Sequence, residues 1–371
     1  MSKKNQADIL VHSNYSPQNH GGIEFVVSTL LQNISKKNKL TCFYGGRLNT
    51  SFVSADSIRY VSRRIIFSLA GASVLSWGNF SFILASLRSK LIIFQEPYPT
   101  LWPAIFFIRF FLRKKIIVLI HANPVSNIWI MRIYDRVRSL IFSGAICVTT
   151  SPNLLNQIKS SLFSKALVIP LCIPSQVFTL TWSLSLPNRY ALYIGRLARY
   201  KGIEYILESS RICHNVNFVI AGDGPLNDYV SSFIRINKIT NICFINRFVT
   251  ESEKYELIER SSFVLFPSVS ENEAFGLVQL EAMRSKKAII NTWLDSGVNY
   301  VAPNQLSAIT IKPKNYNELS EAIQILWSDV SLATKLGKNG FTRFQLLFQE
   351  KLFVDSWNSL LNEYPFMQDL V

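Results

Sequence analysis

The chain has 371 residues, 49% of them hydrophobic and 17% charged, with 39 Lys+Arg against 24 Asp+Glu and a formal charge of +15. At roughly 150 residues per domain the length points to two domains, and the apolar content excludes a disordered chain. The charge is unevenly placed. Residues 1–180 hold 20 Lys/Arg and 5 Asp/Glu, whereas residues 181–371 hold 19 of each, so one domain is expected to face a polyanion, nucleic acid or an anionic membrane surface.

From the N-terminus, only a short apolar run begins at Ile9, too little for a signal peptide, which needs about 7–15 apolar residues. Strands are expected at 7–12, 40–44, 57–61, 90–94, 115–121, 145–149 and 166–169, several of them continuous apolar runs of the kind found in parallel strands buried on both faces. Helical patterns lie between them at 23–35, 128–142 and 153–161. Residues 65–87 carry no charge and are long enough to cross a bilayer, but their serines, asparagine and glycines favour a loop followed by a buried helix from about Asn79 to Leu87. Leu101–Leu112 reads L-W-P-A-I-F-F-I-R-F-F-L and is followed by Arg113, Lys114 and Lys115. It suits either an interfacial element or a core helix with a basic end. Residues 172–188 lack a period and read as an inter-domain linker.

The alternation restarts after the linker. Strands are expected at 190–194, 216–221, 242–244, 263–266, 288–292 and 308–311, with helices at 202–210, 251–261, 276–285 and 316–328 and a long C-terminal helical segment. Two strand–helix series imply an α/β protein of two doubly wound domains, with ligands outside the carboxyl ends of the strands. Five scattered cysteines (42, 147, 172, 213, 243) form no C-x-x-C pair. They indicate neither a zinc site nor a disulfide framework, and fit a reducing cytosol.

Four segments carry chemistry. His20, Gly21, Gly22 and Ile23 lie between the first strand and first helix, where a Gly-Gly turn lets the backbone and the helix N-terminus approach a phosphate, or is simply a turn. Gly195–Gly202 (G-R-L-A-R-Y-K-G) places Arg196 and Lys201 at a strand-to-helix junction, where they suit a diphosphate or are simply a solvated basic loop. Ala221-Gly222-Asp223-Gly224-Pro225 makes a sharp turn at a strand end. In residues 266–283, Glu273 and Glu281 are eight positions apart, about 80° around a helix if both were helical, so both can reach one cleft. Phe275, Gly276 and Leu277 start that helix, with amides able to hold an anion.

With these segments in order, H-G-G-I-E at 20–24, Y-I-G-R-L-A-R-Y-K-G-I-E at 193–204, A-G-D-G-P-L at 221–226 and E-A-F-G-L-V-Q-L-E-A-M at 273–283, the chain resembles a family 4 (group 1) glycosyltransferase. The resemblance is to the bacterial type that builds O-antigen and other surface polysaccharides, among them mannosyl- and rhamnosyltransferases. It implies a GT-B fold, two Rossmann-like doubly wound domains facing a cleft: residues 1–180 facing acceptor and membrane, 181–345 binding the nucleotide-sugar donor, and a C-terminal helix within 346–371 packing back on the first domain. It further implies that Gly21, Gly22 and Gly222 lie at the donor, that Arg196 and Lys201 neutralise the departing diphosphate, and that Glu281 accepts the ribose hydroxyls. Glu273 would hold the donor sugar beside the amides of Phe275, Gly276 and Leu277, with His121 near the sugar. Glu96 lines the acceptor side in the same reading. The chain departs from the pattern at Cys172, at 284–288 (R-S-K-K-A) and at Asn246, none of them a proposed diphosphate contact.

No D-x-D occurs in the sequence, whereas a metal-dependent transferase typically holds a divalent ion with such a pair. The expectation is therefore metal-independent transfer, with no bound cofactor or metal; the resemblance implies retention of configuration and a hexose donor, GDP-mannose first and a UDP-hexose next. The acceptor would be a lipid-diphosphate-linked glycan at the inner face of the plasma membrane. Arg63, Arg64, Arg109, Arg113, Lys114, Lys115, Arg132, Arg136 and Arg138 would form the face toward anionic lipid on a cytoplasmic, peripheral protein. The competing readings are a GT-B-like sugar-nucleotide epimerase and a nucleic-acid-binding protein, the latter lacking any recognition motif.

Overall fold

The computed structural model describes residues 8–14, 16, 22–36, 38–69, 72–121, 129–158, 162–175, 179 and 184–363. The chain forms two compact units: residues up to Pro170 together with those from Lys351 onward, and Leu171–Glu350. His20 and Gly21 lie outside the described residues, as does part of the 172–188 segment; Gly22 opens the first helix, Gly22–Ser35.

In the first unit the described strands are β1 (Asp8–Ser13), β2 (Lys39–Gly46), β3 (Thr50–Val53), β4 (Arg59–Leu69), β5 (Ala72–Leu75), β6 (Leu91–Glu96), β7 (Lys115–Ile120), β8 (Ile146–Thr149) and β9 (Lys165–Val168). They make one sheet in the order β3-β4-β2-β1-β6-β7-β8-β9, with β5 paired to the end of β4. The pairs are parallel except those of β3 and β5 with β4. Leu-Ile-Ile-Phe-Gln-Glu of β6 is buried at every position, as an all-parallel strand covered on both faces must be. Around it Leu10, Phe43, Phe82, Phe94, Ile105, Val118 and Phe142 form the core.

In Ile65–Leu87 the expected helix is present at Gly78–Ser86, but the segment before it is a hairpin rather than a loop. β4 continues to Leu69 and turns back antiparallel as β5, pairing Ile65 with Leu75, before the helix Gly78–Ser86. The mixed polar and apolar pattern suits an edge hairpin, because one face is in water: Ile66 and Phe67 are exposed. The helix is only half buried, with Phe82 and Ser86 inside and Phe80 and Leu84 outside. Among the described residues no helix is long and apolar enough to cross a membrane.

The second unit carries β10 (Ala191–Ile194), β11 (Phe218–Gly222), β12 (Ile242–Asn246), β13 (Phe263–Phe266), β14 (Ala288–Thr292) and β15 (Ala308–Ile311). Their order is β12-β11-β10-β13-β14-β15, all parallel. Counted within the unit this is 3-2-1-4-5-6, the Rossmann order, which places its topological switch between β10 and β13. Helices 203–212, 251–260, 277–284 and 316–328 match the sequence pattern. The helix Asn227–Ile236 was not expected, although Tyr229, Val230, Phe233 and Ile234 recur at helical spacing; Val230 is its one buried residue.

The helix Glu251–Arg260 is started by a capping box. The Glu253 amide donates to Thr250 Oγ1 (3.2 Å), and the Thr250 amide donates to the Glu253 carboxylate (2.8 Å). Arg247 pairs with the same carboxylate at 2.6 Å, and this hydrogen bond with the capping amide holds Glu253 at a pKa of about 2. The helix therefore begins at a fixed point, which matters because Lys254 sits on its first turn.

Candidate active site

The loops leaving β10 and β13 diverge at the switch point, where an open α/β sheet leaves room for a ligand. Main-chain contacts lace them together. The Val269 amide donates to the Tyr200 carbonyl (2.8 Å). Gly202 has φ 73°, and a Cβ there would stand 2.0 Å from the Pro267 carbonyl oxygen. The third loop joins through the Leu197 amide to the Asp223 carbonyl (2.9 Å) and the Leu226 amide to the Leu197 carbonyl (3.0 Å). Beneath the first loop the buried Tyr193 hydroxyl donates to the Arg196 carbonyl (2.9 Å). Gly222 answers a need of the fold: with φ 151°, a Cβ would meet the Gly195 carbonyl oxygen at 1.9 Å.

This lacing sets Lys201 against Glu273, an ion pair with side chains 16% and 10% exposed. The ammonium stands 5.3 Å from the centroids of both the Tyr200 and Phe266 rings, and Ser268 Oγ donates to the same Glu273 oxygen at 3.2 Å. Arg196, in the same loop, is exposed. The arrangement presents one cation paired with a carboxylate, Lys201, and one exposed cation, Arg196, at the mouth of the switch.

Glu273 is not on the helix with Glu281. The helix runs Leu277–Arg284 with Gly276 as its cap, and Glu273 lies in the preceding turn, its amide bonded to the Ser270 carbonyl (3.0 Å). The helical-wheel angle between the two carboxylates therefore does not apply; each is aimed by a different lysine on a different element. Glu281 pairs with Lys254 at 2.6 Å, and Lys254 also reaches Glu251 at 2.9 Å. Glu281 Oε2 is buried without a hydrogen-bond partner among the described residues. Burial pushes this carboxyl above the usual range, against the opposing pull of Lys254. Burial lowers Lys254, but Glu281 and Glu251 together outweigh it and hold the ammonium protonated.

The start of the helix 277–284 is braced from below. Gln279 Nε2 donates to the carbonyls of Phe275 and Val298 (both 3.2 Å), while its Oε1 accepts from Asn291 Nδ2 (2.9 Å). Asn291 Oδ1 in turn accepts from Thr310 Oγ1 (2.7 Å). Phe275, Gly276 and Leu277 are thus held so that the unpaired amides of a helix start have a fixed direction, with the Phe275 ring buried against Phe348.

The remaining expected site residues belong to the first unit. His121 follows β7 and is 4% exposed; neither ring nitrogen has a partner among the described residues, and burial lowers its pKa to about 4, so the imidazole is neutral at pH 7. Glu96 is 1% exposed and is used internally, accepting from Trp102 Nε1 (2.8 Å) and from the Tyr98 amide (3.4 Å). Among the basic residues expected to face lipid, Arg138 is buried, and Arg109 is turned inward to the Ile141 carbonyl (3.1 Å). Lys254, Ser268, Gln279 and Asn291 were not foreseen. The one signal for Lys254 is its spacing of three from Glu251 on a helix; its pairing with Glu281 across 27 residues is a tertiary event. Among the described residues no group of three or more His, Cys, Asp or Glu side chains is placed to hold a metal ion.

Residues 182–343, almost the whole second unit, match the family model of the group 1 glycosyl transferases. O-antigen chain mannosyltransferase C of Escherichia coli is 23% identical over 365 residues, covering 94% of this chain and 96% of that protein. Sucrose-phosphate synthase from Thermosynechococcus elongatus superposes with a TM-score of 0.76 at 18% identity, covering 96% and 99% of the two chains. Anabaena HepE in complex with UDP-glucose does so with a TM-score of 0.70 at 14% identity over 96% and 100%. The second unit is thus similar to the group 1 glycosyl transferases, and the chain is a glycosyltransferase of the GT-B fold.

The packing role of Gly222 gives a test. Gly222→Ala should lower the melting temperature of the ligand-free protein, with a cost of about 2–5 kcal/mol from backbone strain and steric overlap. Unchanged melting in thermal denaturation would leave Gly222 with a ligand role alone.

Proposed function

We propose that the chain transfers a hexose, mannose in the first instance, from a nucleoside-diphosphate sugar to a hydroxyl of a lipid-diphosphate-linked oligosaccharide during synthesis of O-antigen or a similar surface polysaccharide, with retention of configuration and without a metal. The observation that carries the reading is the Lys201–Glu273 pair set beside a braced helix start at the Rossmann switch point, with the half-satisfied Glu281 on that helix. The full-length likeness to an O-antigen mannosyltransferase supports the sugar and the pathway, and the likeness to a fold that holds UDP-glucose supports the donor class. The epimerase and nucleic-acid readings draw no such support.

In this reading Glu281 accepts hydrogen bonds from the ribose hydroxyls and the amides of Phe275, Gly276 and Leu277 receive the anionic part of the donor. Glu273 accepts from hydroxyls of the sugar, which is why its second oxygen is not tied to Lys201. The bond from the anomeric carbon to the diphosphate oxygen breaks with its electron pair going to that oxygen. Lys201 and Arg196 stabilise the charge that develops there, the part played elsewhere by a metal ion. The acceptor oxygen bonds to the anomeric carbon and its proton passes to the departing phosphate oxygen. Gly22 and His121 keep the donor roles that the resemblance assigns them, His121 as a neutral imidazole. The excess positive charge of residues 1–180 attaches the protein to the anionic inner face of the plasma membrane, where a lipid-linked acceptor is found.

Product analysis with a panel of nucleotide sugars and a lipid-diphosphate acceptor tests this directly. Glu273→Gln should cut kcat/KM by about 10- to 150-fold, the worth of charged hydrogen bonds to a sugar. Lys201→Ala and Arg196→Ala should each reduce transfer, and excess chelator should leave the wild-type rate unchanged. Full activity in all three variants would remove the assignment of the site, and loss of activity with chelator would remove the metal-independent step.

A further inference from the structure

The helices Gly78–Ser86 and Trp102–Phe110 of the first unit are apolar on two faces. One face of each enters the core through Phe82, Ala104, Ile105 and Ile108. The other is in water. Phe80 and Leu84, four apart on the first helix, are 60% and 50% exposed, Trp77 at its left-handed N-terminal cap is 79% exposed, and Phe106, Phe110 and Phe111 are 46%, 48% and 67% exposed. The exposed phenyl rings are gathered, with Phe106 4.7 Å from Phe110 and 6.5 Å from Phe111. The two helices are clamped side by side: Asn79 Oδ1 accepts from the Ala104 amide (3.1 Å), and Lys114 Nζ donates to the Leu87 carbonyl (3.2 Å). A helix that is apolar all round is normally covered.

Charge decides what covers this face. Its ends carry Arg88, Arg113, Lys114 and Lys115, and between residues 57 and 134 the one acidic residue is Glu96, which is buried. A second copy would set like charges against each other, whereas an anionic bilayer complements both the aromatics and the basic rim. Each helix has 9 residues and is too short to span, so it lies in the interface plane. We propose that this aromatic face inserts into the headgroup–acyl boundary of an anionic membrane. This deepens the membrane reading above, which needs only surface charge.

The experiment uses the full chain and vesicles of phosphatidylglycerol and phosphatidylethanolamine. At about 1 M salt, where the Debye length is about 3 Å, wild-type protein should still float with vesicles. The Phe106→Ser/Phe110→Ser/Phe111→Ser variant should lose binding by at least about 10-fold, while its melting temperature with and without nucleoside diphosphate shows that the donor unit is intact. Brominated acyl chains should quench wild-type fluorescence more than that of Trp77→Phe. If salt abolishes all binding and the bromines quench nothing, insertion is wrong and charge-only attachment stands. If vesicles are ignored at low salt as well, both readings fall. If the triple substitution only dissolves a dimer, a second copy is the occupant and the proposal is overturned.

A separate observation concerns Lys254. It binds one oxygen of Glu281 at 2.6 Å, is itself anchored to Glu251 at 2.9 Å, and leaves Glu281 Oε2 buried without a partner. An unsatisfied buried acceptor costs free energy that a ligand hydroxyl can recover. We infer that Lys254 is a positioning residue for the donor: it holds Glu281 ionised and turned so that Oε2 meets a ribose hydroxyl. The inference rests on the ribose role of Glu281. Without Lys254, the charges left near that carboxyl are Glu251 and Arg284, of opposite effect.

Binding of GDP and UDP, and of their dideoxy analogues lacking both ribose hydroxyls, reads this out. Lys254→Met should weaken binding of the parent nucleotide about 10-fold or more and leave the analogue nearly unaffected, and Lys254→Arg should restore most of the loss. Equal weakening of both ligands would reduce Lys254 to a structural residue. If Glu281→Gln itself fails to separate the two ligands, the ribose reading falls and the positioning role with it.

Discussion

The second unit depends on a space that admits no side-chain carbon. Gly202 and the Pro267 carbonyl approach so closely that the short turn after β10 docks on the loop after β13, and the Tyr200–Val269 hydrogen bond fixes the register of the contact. The Lys201–Glu273 pair follows from that docking. Lys201 ends the turn and therefore meets Glu273, and Ser268 falls within reach of the same carboxylate. The helix 277–284 is then delivered with its start facing the switch point. A sheet whose order reverses at β10 opens a gap there, and the glycine contact determines what lines it.

Charge in this site is organised as lysine–glutamate pairs rather than isolated ions. A buried carboxylate alone is costly, and a lysine opposite removes much of that cost while occupying only one of its two oxygens. Glu273 and Glu281 are both treated in this way, by Lys201 and Lys254. The Gln279–Asn291–Thr310 chain does for the backbone what the lysines do for the carboxylates, holding acceptors and donors in place before a ligand arrives. Preorganisation of this kind is what transition-state electrostatics requires, because dipoles and charges that are already oriented need no rearrangement during transfer.

The first unit is built from the same strand logic with a different surface. Its parallel strands are as apolar as those of the second unit, but its helices keep a second apolar face outward and its basic residues have few acidic partners. Two of those basic residues, Arg109 and Arg138, are withdrawn into the fold, so the charge that reaches solvent is less than a count of residues implies. Four of the others, Arg88, Arg113, Lys114 and Lys115, directly follow the aromatic helices in the chain.

Most strands were legible in the sequence because parallel strands buried on both faces leave continuous apolar runs, as in Leu91–Phe94 and Phe263–Phe266. The site loops were legible because glycines and charges stand at the ends of those runs, so that Gly195–Gly202 and Glu273–Leu277 could be placed at strand exits. The β4–β5 hairpin was not, since an edge hairpin needs only one apolar face and its serines and glycines read as a loop. Nor was the partner of Glu281, because lysine and glutamate 27 residues apart carry no mark of meeting until two helices pack. Local pattern determined which residues form strands, turns and helix starts. The tertiary structure alone decided which charges are paired, which oxygens are left open and which aromatics stay in water, because those depend on distances across the chain rather than along it.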